Sequence, residues 1–278
     1  MTVRIVTDST CDLPAETIAK YGIRVVPLYI NVGEQSFLDG VDITREEFYK
    51  NLPTYPVHPT TAAPSLQKFC AAYDSLAGEG ATYVLSIHIS VSLSEIVNMA
   101  RVAAGQTQSV PVAVFDSRQL SLGTGFLVER AAILAGEGHS VGEIIIALNE
   151  QVRRTHVFAA LDTLEFLKRS GRVNSVFAGL GSFLKLKPIL KMYDGKIGAE
   201  RVRTRERATE RLLEMLRETG ALERVAIVHT HAPGRVAELH EKAAHLLPDD
   251  NILAVDITPI IGAHIGPGVV GFAAIAKQ

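Results

Sequence analysis

Cysteine and net charge are both scarce in this sequence. Only Cys11 and Cys70 are present, and they do not form a CxxC motif. No charged and then apolar leader with a cleavage site precedes the first strand-like run, so both absences fit a reducing cytoplasm. The formal net charge is -2, which provides no basic field for a polyanion and argues against nucleic-acid binding.

A long run without charged residues extends from Ile257 to Ala276 and is long enough for a membrane-spanning helix. Two prolines and four glycines interrupt it: Pro259, Pro267, Gly262, Gly266, Gly268 and Gly271. Because these residues break helices, the run predicts a strand, a glycine turn and a second strand in a buried sheet. We therefore expect no integral membrane segment.

The chain of 278 residues is long enough for one large α/β domain or for two modest domains that share a cleft. Apolar, β-rich runs alternate with helical stretches up to about residue 152, which predicts parallel βα units. Beyond that point, Asp194-Gly195 predicts an antiparallel hairpin, and a helix is expected over 175–184. The sequence thus predicts an α/β fold with an N-terminal parallel domain (1–152) and a C-terminal mixed α/β domain (153–278).

Three hydroxyl residues are each followed three positions later by glutamate, which is the pattern of a helix capping box. They are Thr44 with Glu47, Ser92 with Glu95, and Ser140 with Glu143. The second box would leave Ser94 in the first turn of a helix that follows a strand. Free N–H groups and the helix dipole at such a turn bind an anion without lysine or arginine.

Other polar turns follow strand-like runs, where ligands bind in open α/β sheets. TDSTCDLP (7–14) is more typical of a turn and a helix start than of a ligand site. Thr61 in PTTAAPS (59–65) fits a turn hydroxyl and a ligand contact equally well. His264 lies among glycines that permit close approach to backbone amides, so a structural role and a ligand role both stay open.

Two enzyme classes compete with a binding function. His229-Thr230-His231 has the HxH spacing of a metal-dependent hydrolase, but no further ligands are evident downstream. A serine or cysteine hydrolase would use Ser94 with His264, or Cys11, yet no G-x-S-x-G motif is present. We therefore assign no catalytic residue and no metal ligand.

Four stretches, in this order, resemble the DegV family. They are VTDSTCDLP (6–14), LEFLKRSGRVN (164–174), the hairpin LKLKPILKMYDGKIGAERVRTRERA (184–208) and GAHIGPG (262–268). The resemblance implies a two-domain fold with a long-chain fatty acid in a lipid cleft between the domains. It also implies a ligand-binding set, which by position is Thr61, Ser94, His264 and Gly266, with Arg172 and Arg203 as basic positions for the head group or a partner.

The same resemblance implies a lipid carrier rather than an enzyme, with no cofactor. Some members act as the acyl-binding subunit of a bacterial fatty acid kinase and present the carboxylate to a separate ATP-binding protein, so that the acyl phosphate feeds phospholipid synthesis.

This sequence departs from the family pattern next to both hydroxyls. Ala62 and Ala63 replace the Ser and Gln of TSQPS, and Glu95 follows Ser94 where LSGTY has glycine. These replacements remove secondary hydrogen bonds near the head group, and we expect Glu95 to point outward as a cap. Arg201, Arg203 and Arg205 alternate, which predicts a basic stripe on one face of a strand.

Overall fold

The computed structural model describes residues 2–172, 186–249 and 252–278. The predicted helix over 175–184 lies outside these ranges. The strands are β1 (Val3–Asp8), β2 (Arg24–Val26), β3 (Tyr29–Val32), β4 (Gln35–Leu38), β5 (Thr60–Ala62), β6 (Tyr83–His88), β7 (Val112–Asp116), β8 (Thr155–Ala160), β9 (Lys187–Tyr193), β10 (Lys196–Val202), β11 (Leu222–His229), β12 (Leu253–Asp256) and β13 (Val270–Ala276). The helices are α1 (Ala15–Tyr21), α2 (Arg45–Asn51), α3 (Leu66–Gly78), α4 (Ile96–Gln106), α5 (Ser121–Gly136), α6 (Val141–Val152), α7 (Glu165–Arg169), α8 (Arg205–Glu218), α9 (Pro233–Ala243) and α10 (Pro259–Ile265). Three short 3₁₀ turns cover Ser9–Cys11, Leu52–Thr54 and Ala244–Leu246.

The N-terminal half is built on a parallel sheet with the strand order β2-β1-β6-β7 over the described residues. Parallel neighbours need crossover connections, which helices of this half supply. The strands read as nearly continuous apolar runs because helices cover the sheet. The prediction of parallel βα units is confirmed.

The C-terminal half is built on a mixed sheet with the strand order β10-β9-β8-β13-β11-β12 over the described residues. The β11–β12 pair is parallel, and the other neighbours are antiparallel. Asp194 and Gly195 connect β9 to β10 with φ of 45° and 76°, the backbone that a tight hairpin turn requires. The predicted hairpin and the predicted α/β fold with a mixed C-terminal part are confirmed, whereas the domain boundary near residue 152 stays a prediction.

A small antiparallel sheet with the order β4-β3-β5 lies beside the parallel sheet. In its register, Thr61 of β5 pairs with Ile30 of β3, which is fully buried. The main apolar core contains residues of both halves, including Ile87 of β6, Leu127 of α5 and Ala273 of β13. The two large sheets therefore share one core.

The charge-free run at 257–276 differs from its prediction, because its first part is a helix rather than a strand. Thr258 caps α10 by accepting a hydrogen bond from the N–H of Ile260, and Pro259 occupies the first helical turn. Gly262 lies against the ring of Tyr49, where a Cβ would clash. Only β13 of the two predicted strands is present. Within the described ranges, no helix combines the length and the apolar character needed to cross a bilayer.

Two of the three predicted capping boxes are present, at the starts of α2 and α6. The box at Ser92 and Glu95 is wrong, because α4 begins only at Ile96 and the Ser92 hydroxyl pairs with that of Ser90 at 2.9 Å. The predicted arginine stripe is also wrong. Strand β10 ends at Val202, so Arg203 lies in a bend and Arg205 opens α8.

Candidate functional site

A cavity of about 460 Å³ lies between the two halves of the molecule. Its wall is mostly apolar and includes Leu28 and Ile89 from the N-terminal half and Met192 and Ile260 from the C-terminal half. Polar side chains of Thr61, Ser92, Ser94, Glu95, Arg172 and His264 also contribute to the wall. The cavity thus combines a large apolar volume with a limited set of polar groups, the composition of a site for an amphipathic small molecule.

Thr61 and His264 meet at this cavity. The Oγ1 atom of Thr61 lies 3.2 Å from Nε2 of His264. Strand β5 positions Thr61, and the last turn of α10 positions His264. The pair therefore joins the small N-terminal sheet to the C-terminal helix.

Burial and the positive charges of Arg172 and of a protonated His58 lower the pKa of His264 to about 4. The imidazole is therefore neutral at physiological pH and carries one N–H. Its Nδ1 atom is buried and lacks a hydrogen-bond partner among the residues that the structure describes. The Thr61–His264 pair carries two hydrogens, the hydroxyl hydrogen and the ring N–H. When Nε2–H donates to Oγ1 of Thr61, the Thr61 hydroxyl keeps its hydrogen for a ligand; when the hydroxyl donates instead, the remaining N–H is at the buried Nδ1.

Ser94 lies just before α4, in the turn that follows β6, rather than inside the helix as predicted. Its N–H donates to the carbonyl of Ser90 at 3.1 Å. Its hydroxyl has no hydrogen-bond partner in the described part of the chain. Glu95 is exposed at the rim, and its carboxylate accepts a hydrogen bond from Asn98 at 2.7 Å. That contact directs the negative charge of Glu95 toward the helix surface.

Arg172 is exposed and also lines the cavity, which brings a positive charge to the side where His264 lies. Ala62 and Ala63 line the cavity too, so the two replacements next to Thr61 leave methyl groups in the wall. Thr61, Ser94, His264 and Arg172 are thus brought to one cavity.

Gly266 and Arg203 are not found among the described residues that line the cavity. Gly266 ends α10 with φ of 77°, and a Cβ there would clash with the ring of Phe166. Its carbonyl accepts a hydrogen bond from the Thr230 hydroxyl at 2.8 Å. Arg203 is exposed in the bend between β10 and α8. Gly266 therefore shapes the turn beside His264, and Arg203 belongs to the outer surface.

A buried polar network fixes the start of α10, and sequence reasoning did not find it. Asp12 is 1% exposed, forms an ion pair with Arg45 at 3.1 Å and accepts a hydrogen bond from the N–H of Thr258 at 2.8 Å. The Thr258 hydroxyl donates to Asp39, and Tyr49 donates to the carbonyl of Ile257 at 2.8 Å. In the sequence, only the acidic stretch TDSTCDLP (7–14) points to this network. Its pattern is the same for the start of a helix and for a buried carboxylate that holds another segment, so it does not distinguish the two.

A second buried chain of polar groups crosses the parallel sheet. His88 Nδ1 lies 2.8 Å from Asp8, and His88 Nε2 lies 2.7 Å from the Ser86 hydroxyl. The order Ser–His–Asp resembles that of a hydrolase triad. Ser86, however, is fully buried under Tyr73 and is not among the described residues of the cavity wall, so its hydroxyl cannot meet a substrate there.

Cys11 and the histidines of the HxH motif, which were also named for the enzyme alternatives, are not arranged for catalysis. Burial raises the pKa of the Cys11 thiol to about 12, which keeps it protonated and unreactive. His229 and His231 lie 3.5 and 3.9 Å from Asp256, and over residues 2–172, 186–249 and 252–278 no group of three or more His, Cys, Asp and Glu could hold a metal ion. Neither hydrolase alternative is supported.

Comparisons with known proteins agree on one family. A family model described as "Uncharacterised protein, DegV family" matches residues 2–277. A DegV domain-containing protein of Streptomyces coelicolor is 35% identical over 274 residues, which are 97% of this chain and 96% of that protein.

Solved structures give the same result. The crystal structure of DegV, a fatty acid binding protein from Bacillus subtilis, matches with a TM-score of 0.91 and 30% identity. A fatty-acid-binding DegV family protein from Thermus thermophilus matches with a TM-score of 0.90 and 35% identity. In both cases the match covers 100% of each chain.

Proposed function

Because the chain belongs to the DegV family, we propose that its cavity binds a long-chain fatty acid and that it acts as a carrier rather than as an enzyme. One observation carries the proposal: an apolar cavity between the two halves includes Thr61, Ser94 and His264 in its wall. The relatives of known structure from Bacillus subtilis and Thermus thermophilus, both fatty-acid-binding proteins, support the same ligand class.

The apolar wall provides most of the affinity in this proposal. Burial of roughly 15 methylene groups at about 0.8 kcal/mol each contributes around 12 kcal/mol before entropy and desolvation are subtracted. A small anion gains nothing comparable from this wall. The cavity therefore favours a long acyl chain over a short carboxylic acid.

The polar groups have the narrower task of offsetting the desolvation of the carboxylate. The Ser94 hydroxyl supplies one donor, and the Thr61–His264 pair supplies a second. Both are neutral, whereas Arg172 contributes positive charge from the exposed edge. Neutral donors leave the carboxylate more nucleophilic than a bidentate arginine would, because such an arginine occupies both of its oxygens.

We propose further that the bound carboxylate is presented to a separate ATP-dependent fatty acid kinase in the cytoplasm. Exposed residues at the head-group side, Arg172 and Glu95, support access of a partner to that end of the ligand. Arg203 is exposed and is a candidate contact for the same partner. Transfer of radioactive phosphate from ATP to the bound acid, in the presence of a bacterial fatty acid kinase, tests this step separately from binding.

The carrier proposal is tested by denaturing extraction of the purified protein followed by mass spectrometry. We expect a fatty acid in near-stoichiometric amount from the wild type and a loss of at least about tenfold from a Thr61→Val/Ser94→Ala variant, since two donors to a buried charge are removed. Thr60→Val is a matched control, because Thr60 is exposed on the same strand and lies outside the described cavity wall. Full lipid retention by the double variant, or no extractable lipid and no uptake of added fatty acid by the wild type, would contradict the proposal.

A further inference from the structure

Among the described residues of the cavity wall, Glu95 is the one acidic side chain. It directly follows Ser94, whose hydroxyl is a donor to the ligand carboxylate in the proposed function, and it is exposed at the rim. A carboxylate at this place repels the carboxylate of a bound fatty acid, because like charges close together disfavour each other. An ionised ligand therefore binds well only if the charge of Glu95 is held away from the head group.

Two residues of α4 that lie outside the described wall hold the Glu95 side chain. Nδ2 of Asn98 donates to Oε2 of Glu95 at 2.7 Å, and Nη1 of Arg101 donates to Oδ1 of Asn98 at 3.1 Å. The three residues follow one another at intervals of three positions, which places them on one side of the helix. An amide suits the middle position, because its nitrogen donates and its oxygen accepts. These contacts form a relay from the positive charge of Arg101 to the negative charge of Glu95.

The relay takes the place of a contact with the helix backbone. Glu95 is the N-cap residue of α4, and the side chain of an N-cap residue commonly accepts a hydrogen bond from an N–H of the first helical turn. The Glu95 side chain makes no such bond. Its position therefore depends on a neighbouring side chain, that of Asn98, rather than on the backbone of its own helix.

We propose that Asn98 and Arg101 are positioning residues for the head group: they hold the Glu95 carboxylate away from Ser94 and so permit an ionised ligand to bind beside it. This inference rests on the proposed function, because it concerns the carboxylate end of the same ligand. Without the relay, the Glu95 side chain turns toward the cavity that it lines. The resulting loss of affinity falls on a charged head group, since a neutral head group of the same size is not repelled.

The experiment measures dissociation constants of the delipidated protein for palmitate and oleate and for the primary amides of both acids. Asn98→Ala should weaken binding of the acids about three- to tenfold and should leave the amides within about twofold of the wild type, because water at the rim partly screens the charge. The loss should shrink as the ionic strength rises from about 0.01 M to about 0.15 M, since the screening length falls from roughly 30 Å to roughly 8 Å. Arg101→Met should give a smaller loss with the same pattern.

A Glu95→Gln background identifies the charge as the cause. Glu95→Gln alone should bind the acids at least as tightly as the wild type, and Asn98→Ala should have no further effect in that background. This cycle decides by itself if an amide binds too weakly to be measured. Gln106→Ala is the matched control, because it removes an amide from an exposed position at the other end of α4, outside the described wall. It should leave the binding of acids and amides unchanged.

Three results would overturn the role of the relay while leaving fatty-acid binding intact. The first is unchanged binding of the acids by a folded Asn98→Ala protein. The second is an equal loss for acids and amides, which would indicate a structural disturbance of α4. The third is a loss that persists in the Glu95→Gln background. If the wild type binds neither palmitate nor oleate, the proposed function falls and the role of the relay falls with it.

Discussion

The Oγ1 atom of Thr61 lies 3.2 Å from Nε2 of His264, although the two residues are 203 positions apart in the chain. Within β5, the Thr61 hydroxyl has no side-chain hydrogen-bond partner, and within α10 the His264 ring has none. The short strand β5 supplies one and the last turn of α10 supplies the other. The candidate head-group site is therefore formed only when both halves of the molecule are folded together.

The low pKa of His264 predicts a pH-dependent loss of stability in the delipidated protein. Its pKa is about 4 in the folded state against 6.5 for an ordinary histidine, because burial and the charges of Arg172 and His58 disfavour the imidazolium. Between these values the unfolded chain binds a proton that the folded chain does not. Stability should therefore fall as the pH is lowered from about 6.5 toward 4, by a contribution on the order of 3 kcal/mol.

Urea unfolding of the wild type and of His264→Gln at pH 7.5 and pH 4.5 isolates this contribution. The stability of the wild type relative to the variant should decrease at the lower pH. The wild type must be compared with the variant because a second group titrates in the same range. Burial raises the pKa of Asp12 to about 6, so protonation of Asp12 stabilises the folded state of both proteins as the pH falls. An equal difference between the two proteins at both pH values would contradict the prediction.

The Asp12–Arg45 ion pair should be strongly coupled. Asp12 is buried, and about a third of the Arg45 side chain is exposed. Removing one partner leaves the other charge in a poorly solvated site, so Asp12→Asn and Arg45→Met should each destabilise the protein by about 2 kcal/mol. A double-mutant cycle by urea unfolding should give a coupling energy of at least about 1 kcal/mol.

The ion pair of Arg24 with Glu79 is a control for this cycle. Its atoms lie at 2.6 Å, but both side chains are about two-fifths exposed, at 39% and 42%. Exposed pairs are screened by water, so the coupling energy of this pair should be clearly smaller than that of Asp12 with Arg45. Equal coupling energies in the two cycles would mean that burial does not set the strength of the Asp12–Arg45 pair.

Gly266 should be far less tolerant of alanine than Gly220, although both have positive φ. At Gly220, with φ of 84°, a Cβ would meet open space, so Gly220→Ala should cost about 1 kcal/mol from the backbone alone. At Gly266, with φ of 77°, the Cβ would also press on Phe166, and overpacking should bring the total to about 3 kcal/mol. Thermal and urea unfolding measure both variants. Recovery of part of the loss by Phe166→Ala in the Gly266→Ala background would identify the clash.

The helix caps provide a further contrast. Ser140 accepts a hydrogen bond from the N–H of Glu143 at the start of α6, so Ser140→Ala should destabilise the protein by about 1 kcal/mol. Ser92 has the same sequence pattern but does not cap α4. Ser92→Ala should change the free energy of unfolding by less than about 0.5 kcal/mol. Equal losses in the two variants would argue that Ser92 does cap a helix.

Local sequence patterns predicted the elements whose conformation is decided locally. The hairpin at Asp194-Gly195 and the capping boxes at Thr44 and Ser140 depend on residues within a few positions of one another. The alternation of apolar runs and helical stretches likewise predicted the parallel sheet. By contrast, α10 escaped prediction because its apolar residues are buried on all sides and provide no periodicity, while Gly262 is required by packing against Tyr49 rather than by a turn.

Local sequence patterns predicted less of the candidate site than of the fold. From residues alone, Thr61 and His264 each fit a structural role and a ligand-binding role about equally well. Only the resemblance to the DegV family assigns both residues to one site. The buried carboxylates of Asp8, Asp12 and Asp39 could not be distinguished from turn residues, because their partners lie far away in the chain. Asp12 and Thr258, for example, are 246 positions apart.

The position of β13 has a consequence for the order of events during synthesis. This strand leaves the ribosome after every other strand described here, yet it lies between β8 and β11 inside the mixed sheet. Until it is available, β8 and β11 lack their shared neighbour, and α10, which immediately precedes it, cannot bring His264 to Thr61. Helix α10 contributes Ile260 and His264 to the cavity wall, so the wall is complete only once these late residues have emerged, and a nascent chain lacks the closed site until then.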